Sequence, residues 1–150
     1  MSDLTSEEVV REYVKASAAN DQDALGRIRH PAWQAHWPQS GERVVGHRNF
    51  AEIARLCPGG TPTIRLDRLV GSEDRWVVTP ANTVARIAGS GDFWWGEWQM
   101  SYPDGKVYEC VPPLELRDGR IWRETVYWAE PFAAPDWRRT LVERPTAPEA

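Results

Sequence analysis

The chain has 150 residues, 41% apolar and 27% charged, which fits one globular domain and argues against disordered and fibrous classes. Eighteen Lys and Arg against 22 Asp and Glu leave a net charge of −4, and the basic residues are scattered rather than banded, so no nucleic-acid partner is expected. No apolar run is long enough to span a bilayer, and the acidic start Ser2-Asp3-Leu4-Thr5-Ser6-Glu7-Glu8 lacks a secretory core, so the expected setting is the cytoplasm, away from membranes.

Thr5-Ser6-Glu7-Glu8 is a capping box, and Val10, Tyr13, Val14 and Ser17 follow at helical spacing, predicting a helix over about residues 5–19. Asn20-Asp21 ends it, and Asp21 caps a short second helix carrying Ala24, Leu25 and Ile28 that stops before Pro31. Trp33 to Trp37 and Glu42 to Val45 flank the turn-rich Pro38-Gln39-Ser40-Gly41, predicting a hairpin or bent strand. Phe50, Ile53, Ala54 and Cys57 form the stripe of a third helix from His47 to Cys57, and that stripe must face a sheet.

From Thr63 the period becomes two. Ile64 and Leu66 alternate with charges, Gly71 to Asp74 turns, Trp76-Val77-Val78 resumes, and residues 79–92 predict an irregular strand. Tyr102-Pro103-Asp104-Gly105 joins strand 92–102 to strand 106–117, and Asp118-Gly119 joins the latter to strand 120–128. Pro112-Pro113 cannot serve a regular ladder, so a bend there must curve the sheet. Residues 131–150 are a Pro-rich tail with at most a turn or two around Trp137. The sum is an α+β fold, a single domain with helices on one face of a curved, mostly antiparallel sheet that encloses a pocket.

Residues 9–14 (Val-Val-Arg-Glu-Tyr-Val), 20–25 (Asn-Asp-Gln-Asp-Ala-Leu) and 30–33 (His-Pro-Ala-Trp) resemble the start of the nuclear-transport-factor-2-like superfamily, and residues 117–128 resemble the last hairpin and strand of its SnoaL-like members. This superfamily includes ketosteroid isomerases, limonene epoxide hydrolases and polyketide cyclases. The resemblance covers about residues 5–130 and implies a cone-shaped barrel, three N-terminal helices on the sheet, a mostly apolar cavity and a homodimer through the outer sheet face. Phe93, Trp95 and Val111 are the outer-face residues expected at such an interface.

Function in such a fold varies with a few pocket residues. Tyr13 matches the helix-one tyrosine with which ketosteroid isomerases hydrogen-bond an enolate, or else simply packs. The catalytic Asp of those enzymes, which directly precedes a proline, corresponds to Trp37 before Pro38, and indole takes no proton from carbon. The epoxide hydrolases need an acid before the tyrosine of the last strand, where this chain has Val126 before Tyr127.

Pairing the first hairpin puts Trp94, Trp98 and Met100 on one face with Tyr108, Cys110, Leu114 and Leu116, the expected cavity wall, and sends Glu97, Glu109 and Glu115 to the other. Trp122, Glu124 and Trp128 share one parity of the last strand, and a carboxyl among indoles would be a general acid or base. The alternative leaves Glu124 paired with Arg123 or Arg117 and turns Ile121, Arg123, Thr125 and Tyr127 inward. His36 should face away from the pocket if Trp37 faces in, and His30 and His47 read as helix-end residues. Cys57 and Cys110 form no CxxC pair and read as small buried apolar residues; no metal or phosphate motif is present, so no cofactor is expected.

The reading is a small-molecule-binding protein with nine tryptophans available to line its pocket, here Trp37, Trp94, Trp98, Trp122 and Trp128 with Met100 and Cys110. Cofactor-independent cyclase or isomerase chemistry would use Glu124, Tyr13 and Tyr127. A non-catalytic carrier of hydrophobic ligands, a dimeric interaction module and an epoxide hydrolase are the alternatives.

Overall fold

The computed structural model describes residues 4–61, 68–70, 76–78 and 84–144. The strand pattern of Ile64 and Leu66 and the turn at Gly71 to Asp74 lie outside the described residues. Helix α1 (Ser6–Ala18) starts at the expected box: the Thr5 backbone N–H donates to Glu8 Oε2 at 2.7 Å, and the Glu8 N–H donates to Thr5 Oγ1 at 3.2 Å. Its buried face is Val9, Val10, Tyr13, Val14 and Ala16. Helix α2 (Gln22–Ile28) is capped by Asp21, whose carboxylate accepts from the Ala24 N–H at 3.0 Å.

Strand β1 (Arg29–Trp37) follows without a loop and turns into β2 (Glu42–Val45), and helix α3 (His47–Leu56) comes next. Strands β3 (Arg68–Val70), β4 (Trp76–Val78), β5 (Val84–Ser90) and β6 (Phe93–Ser101) then run as a meander. They are followed by β7 (Val107–Val111), β8 (Pro113–Arg117), β9 (Arg120–Thr125), β10 (Tyr127–Ala129) and a 3-10 turn (Asp136–Leu141). The sheet order is β2-β1-β9-β8-β6-β5-β4-β3, with β7 bridging β6 and β10. Among the described residues this path is open, running from β2 to β3, so in place of the barrel implied by the resemblance there is a curved open sheet.

Two breaks make the curve. At Gly96 strand β6 changes partner, pairing β8 through Phe93–Trp95 and β7 through Trp98–Ser101, and the Gly96 N–H donates to the Pro112 carbonyl at 3.1 Å. At Val126 the last strand divides as well, its N–H donating to the His36 carbonyl at 2.9 Å while β10 leaves to pair β7. Prolines cannot serve a continuous ladder, so Pro112-Pro113 converts one expected strand into β7 and β8 at an angle. The expected register holds: Trp98 faces Cys110, Met100 faces Tyr108 and Trp94 faces Leu114.

The core lies where α1 crosses β9, with Tyr13, Trp33, Leu114 and Ile121 fully buried. Truncating a residue such as Leu114 or Ile121 to Ala typically costs about 2–5 kcal/mol. Helix α3 buries none of its residues, and Ile53 is 43% exposed, because its apolar stripe faces a cavity rather than packed side chains. Among the described residues no helix is long and apolar enough to cross a membrane.

Candidate active site

A cavity of about 310 Å³ opens between the three helices and the concave side of the sheet. Phe50, Ile53, Ala54 and Cys57 from α3 form one wall, the whole stripe that the sequence predicts. Trp37, Trp98, Met100, Val126 and Trp128 form the sheet side, with Trp37 and Trp128 meeting edge to face at 6.0 Å and 84°. The buried polar groups of the lining are Tyr13 from α1, Arg29 from β1 and Glu124 from β9, while Asn20, Ser40 and Glu42 line it from exposed positions.

Glu124 is 8% exposed and Tyr13 fully buried, and the Tyr13 hydroxyl donates to Glu124 Oε2. The same hydroxyl oxygen accepts from Arg29 Nη2 at 3.0 Å. Arg29 is itself 3% exposed, its guanidinium 3.8 Å from the ring centre of Trp33 and 4.2 Å from that of Phe50. Burial pushes the Glu124 carboxyl above the ordinary carboxylate range, with the Arg29 charge and the Tyr13 hydrogen bond pulling the other way. Burial also drives the Tyr13 phenol upward, so it stays a neutral donor.

Glu124 points inward because β9 carries a bulge. Leu116 pairs Ile121 and Glu115 pairs Arg123, so Trp122 is an extra residue and the inward parity shifts by one across it. Strict alternation allowed either Ile121 or Glu124 to face in. The bulge turns both in and sends Trp122 out, where Arg117 and Arg123 stack on its ring at 3.7 and 4.8 Å. Arg123 in turn donates from Nη2 to Glu115 at 2.8 Å, so Arg123 is tied to Glu115 and not to Glu124.

Of the residues expected at the site, Glu124, Tyr13, Trp37, Trp98, Met100 and Trp128 line this one cavity. Tyr127 is 48% exposed on the opposite face of β10, and Trp122 lies outside as described. Trp94 is buried without lining the cavity, its indole N–H donating to the Gly91 carbonyl at 2.8 Å. Cys110 is buried behind Trp98 and Trp128, and its thiol is pushed up to about 12 chiefly by burial. His36 turns away from the pocket, bonded to Gln34 at 2.9 Å, and burial with Arg123 and Arg43 lowers its pKa.

Sequence reasoning missed Arg29 and the contact that His47 makes with it. Arg29 occupies a site where a hydrophobic residue would be ordinary, and no local pattern marks it. His47 is a helix-end residue as expected, yet its Nδ1 lies 2.9 Å from Arg29 Nη1. Among the described residues no group of three or more His, Cys, Asp and Glu is placed to hold a metal ion.

The architecture is similar to that of an NTF2-like protein of unknown function from Burkholderia xenovorans LB400, with 30% sequence identity, a TM-score of 0.69, and 93% of this chain and 94% of that one covered. It is also similar to a candidate ketosteroid isomerase from Kribbella flavida (21% identity, TM-score 0.69, covering 95% of this chain and 90% of that one). A candidate polyketide cyclase from Sinorhizobium meliloti has 17% identity and a TM-score of 0.57, with 83% of this chain and 100% of that one covered. At those identities the last two show the fold alone. No protein-family model matches the chain, and neither does any curated protein.

Proposed function

The chain belongs to the nuclear-transport-factor-2-like superfamily, and from that premise we propose that it is a SnoaL-like protein taking one hydrophobic, cyclic or aromatic small molecule into the tryptophan-lined cavity. Its chemistry is cofactor-independent acid–base catalysis, a cyclisation or isomerisation, with Glu124 as the proton-transferring group. The observation that carries this is the Glu124 carboxyl, buried at the end of an apolar cavity, raised in pKa and bonded to Tyr13. A group whose pKa is brought up toward neutrality can both take and return a proton, the requirement for moving hydrogen between two carbons of a carbonyl compound. Ionised Glu124 removes a proton alpha to the carbonyl, an enolate forms, and the protonated carboxyl returns the hydrogen elsewhere on the ligand. Tyr13 steadies the carboxylate, and the apolar walls orient the ligand.

One observation favours a non-catalytic carrier as the second reading. The Tyr13 hydroxyl already accepts from Arg29 and donates to Glu124, so its hydrogen is committed within the protein. In either reading the protein works in the cytoplasm as a single domain, a homodimer through the outer sheet face around Phe93, which is 53% exposed. A monomeric mass by native mass spectrometry at micromolar concentration would contradict the dimer.

Tryptophan fluorescence titrated with polycyclic ketones, terpenoid epoxides and aromatic polyketides tests the pocket, because Trp37, Trp98 and Trp128 report its occupancy. Saturable binding of one class, with turnover lost in Glu124→Gln, supports the enzyme. Binding without turnover supports the carrier, and no response from the folded protein overturns both.

A further inference from the structure

The Arg29 guanidinium lies against the rings of Trp33 and Phe50, which stand at 86° to each other with centroids 5.5 Å apart, so they touch it from adjacent sides. Cation–ring attraction holds the charge in place but is weakly directional, so it does not fix where the N–H groups point. That direction comes from hydrogen bonds, and two side chains supply them: Tyr13 at Nη2 and His47 at Nη1. The Arg29 Nε is buried with no hydrogen-bond partner among the described residues. Loss of either anchor therefore leaves the guanidinium held at one end.

Arginine only donates, so His47 Nδ1 is the acceptor and the hydrogen of a neutral imidazole sits on Nε2. The ring is seated on Gly26, where an added Cβ would stand 3.0 Å from Nε2 and 3.1 Å from Cδ2. A chain of contacts thus runs from α2 through His47, Arg29 and Tyr13 to Glu124. The charges that bear on His47 are Arg29 from β1 and Asp23 from α2; burial first, then Arg29, hold its pKa below the usual histidine value.

We propose that His47 is a positioning residue, its neutral Nδ1 fixing Arg29 so that the single hydrogen of Tyr13 is aimed at Glu124. This rests on Glu124 being the acid–base group, but it concerns the carboxyl itself and is read without turnover. The Arg29 charge and the Tyr13 hydrogen bond are the two influences that favour ionised Glu124. Without the His47 acceptor both weaken, and Glu124 titrates at higher pH.

The test is carbon-13 NMR titration of the Glu124 carboxyl, assigned by its absence in Glu124→Gln, in wild type, His47→Leu and His47→Asn. The asparagine Oδ1 replaces Nδ1 as acceptor, so the midpoint is expected to move up in His47→Leu and return toward wild type in His47→Asn. A wild-type midpoint in a folded His47→Leu protein overturns the proposal, as does an equal shift in both variants, which a merely structural role would give. Should His47→Leu not fold, nitrogen-15 NMR of the wild-type imidazole decides: hydrogen on Nε2 at neutral pH is expected, and hydrogen on Nδ1 overturns it. Failure of Glu124→Gln to affect turnover would remove the functional reading while leaving this titration result intact.

Discussion

Arg29 and Glu124 meet through a single oxygen. The Tyr13 hydroxyl accepts from the guanidinium and donates to the carboxyl, so a buried phenol mediates between a cation on β1 and an acid on the neighbouring β9. Tyr13→Phe keeps the ring and removes that oxygen, leaving both buried partners short of a hydrogen bond. The expected loss of stability is about 1–3 kcal/mol, with the Glu124 carboxyl driven further up. Urea unfolding and carboxyl NMR of the variant check this, and wild-type values in both would contradict the relay.

The raised pKa of Glu124 also fixes the sign of a pH effect. A carboxyl whose folded-state pKa lies above its unfolded value holds its proton more tightly when folded, so its contribution is fully present below the unfolded value, near 4.5, and is lost as pH rises through the folded one. Glu124→Gln carries no charge to bury and can still accept from Tyr13. Its stability relative to wild type should therefore grow as pH rises above the ordinary glutamate range and level off beyond the folded pKa. Denaturant midpoints measured for both proteins from about pH 4 to about pH 8 decide it, and a gap that does not vary with pH would show that Glu124 is not perturbed as described.

Which parts of this site were legible in sequence follows from how far apart their causes lie. The capping box at Thr5 and Glu8, the turns at Asp104-Gly105 and Asp118-Gly119, and the facing of Trp98 with Cys110 are set by neighbours in the chain, so spacing reveals them. The inward turn of Glu124 depends on the bulge at Trp122, which exists only once β9 pairs β8, and parity counting could offer two faces without choosing. Arg29 lies still further from any local signal. The rings against it are those of Trp33 and Phe50, and its anchors come from α1 and α3, so nothing around residue 29 announces a buried cation.

Gly96 marks the point at which β6 changes partner, and a side chain does not fit there. A Cβ would stand 3.0 Å from Trp98 Cζ3, 3.1 Å from Pro112 Cγ and 3.2 Å from the Pro112 carbonyl oxygen. Pro112 is fully buried and cannot retreat cheaply, so the strain falls on Trp98 and the cavity wall. Gly96→Ala is expected to cost about 1–3 kcal/mol and to shift the tryptophan emission. A variant with unaltered stability and emission would mean that the two strands part more readily than the contacts imply.

Trp122 and Trp128 flank Glu124 in sequence and share its parity, yet only Trp128 lines the cavity. Trp128 stands edge-on to Trp37 at 6.0 Å, whereas Trp122 is stacked between Arg117 and Arg123 on the other side of the sheet. An indole that covers part of a bound apolar ligand contributes about 1–2 kcal/mol, roughly 5- to 30-fold in Kd. Trp128→Ala should therefore weaken binding of an apolar fluorophore such as Nile red by that factor and abolish much of the ligand-induced quenching. Trp122→Ala should leave both unchanged, because the bulge has turned its ring away. Equal losses in the two variants would place the ligand somewhere other than this cavity, and a larger loss in Trp122→Ala would mean that the inward parity of β9 does not shift at the bulge.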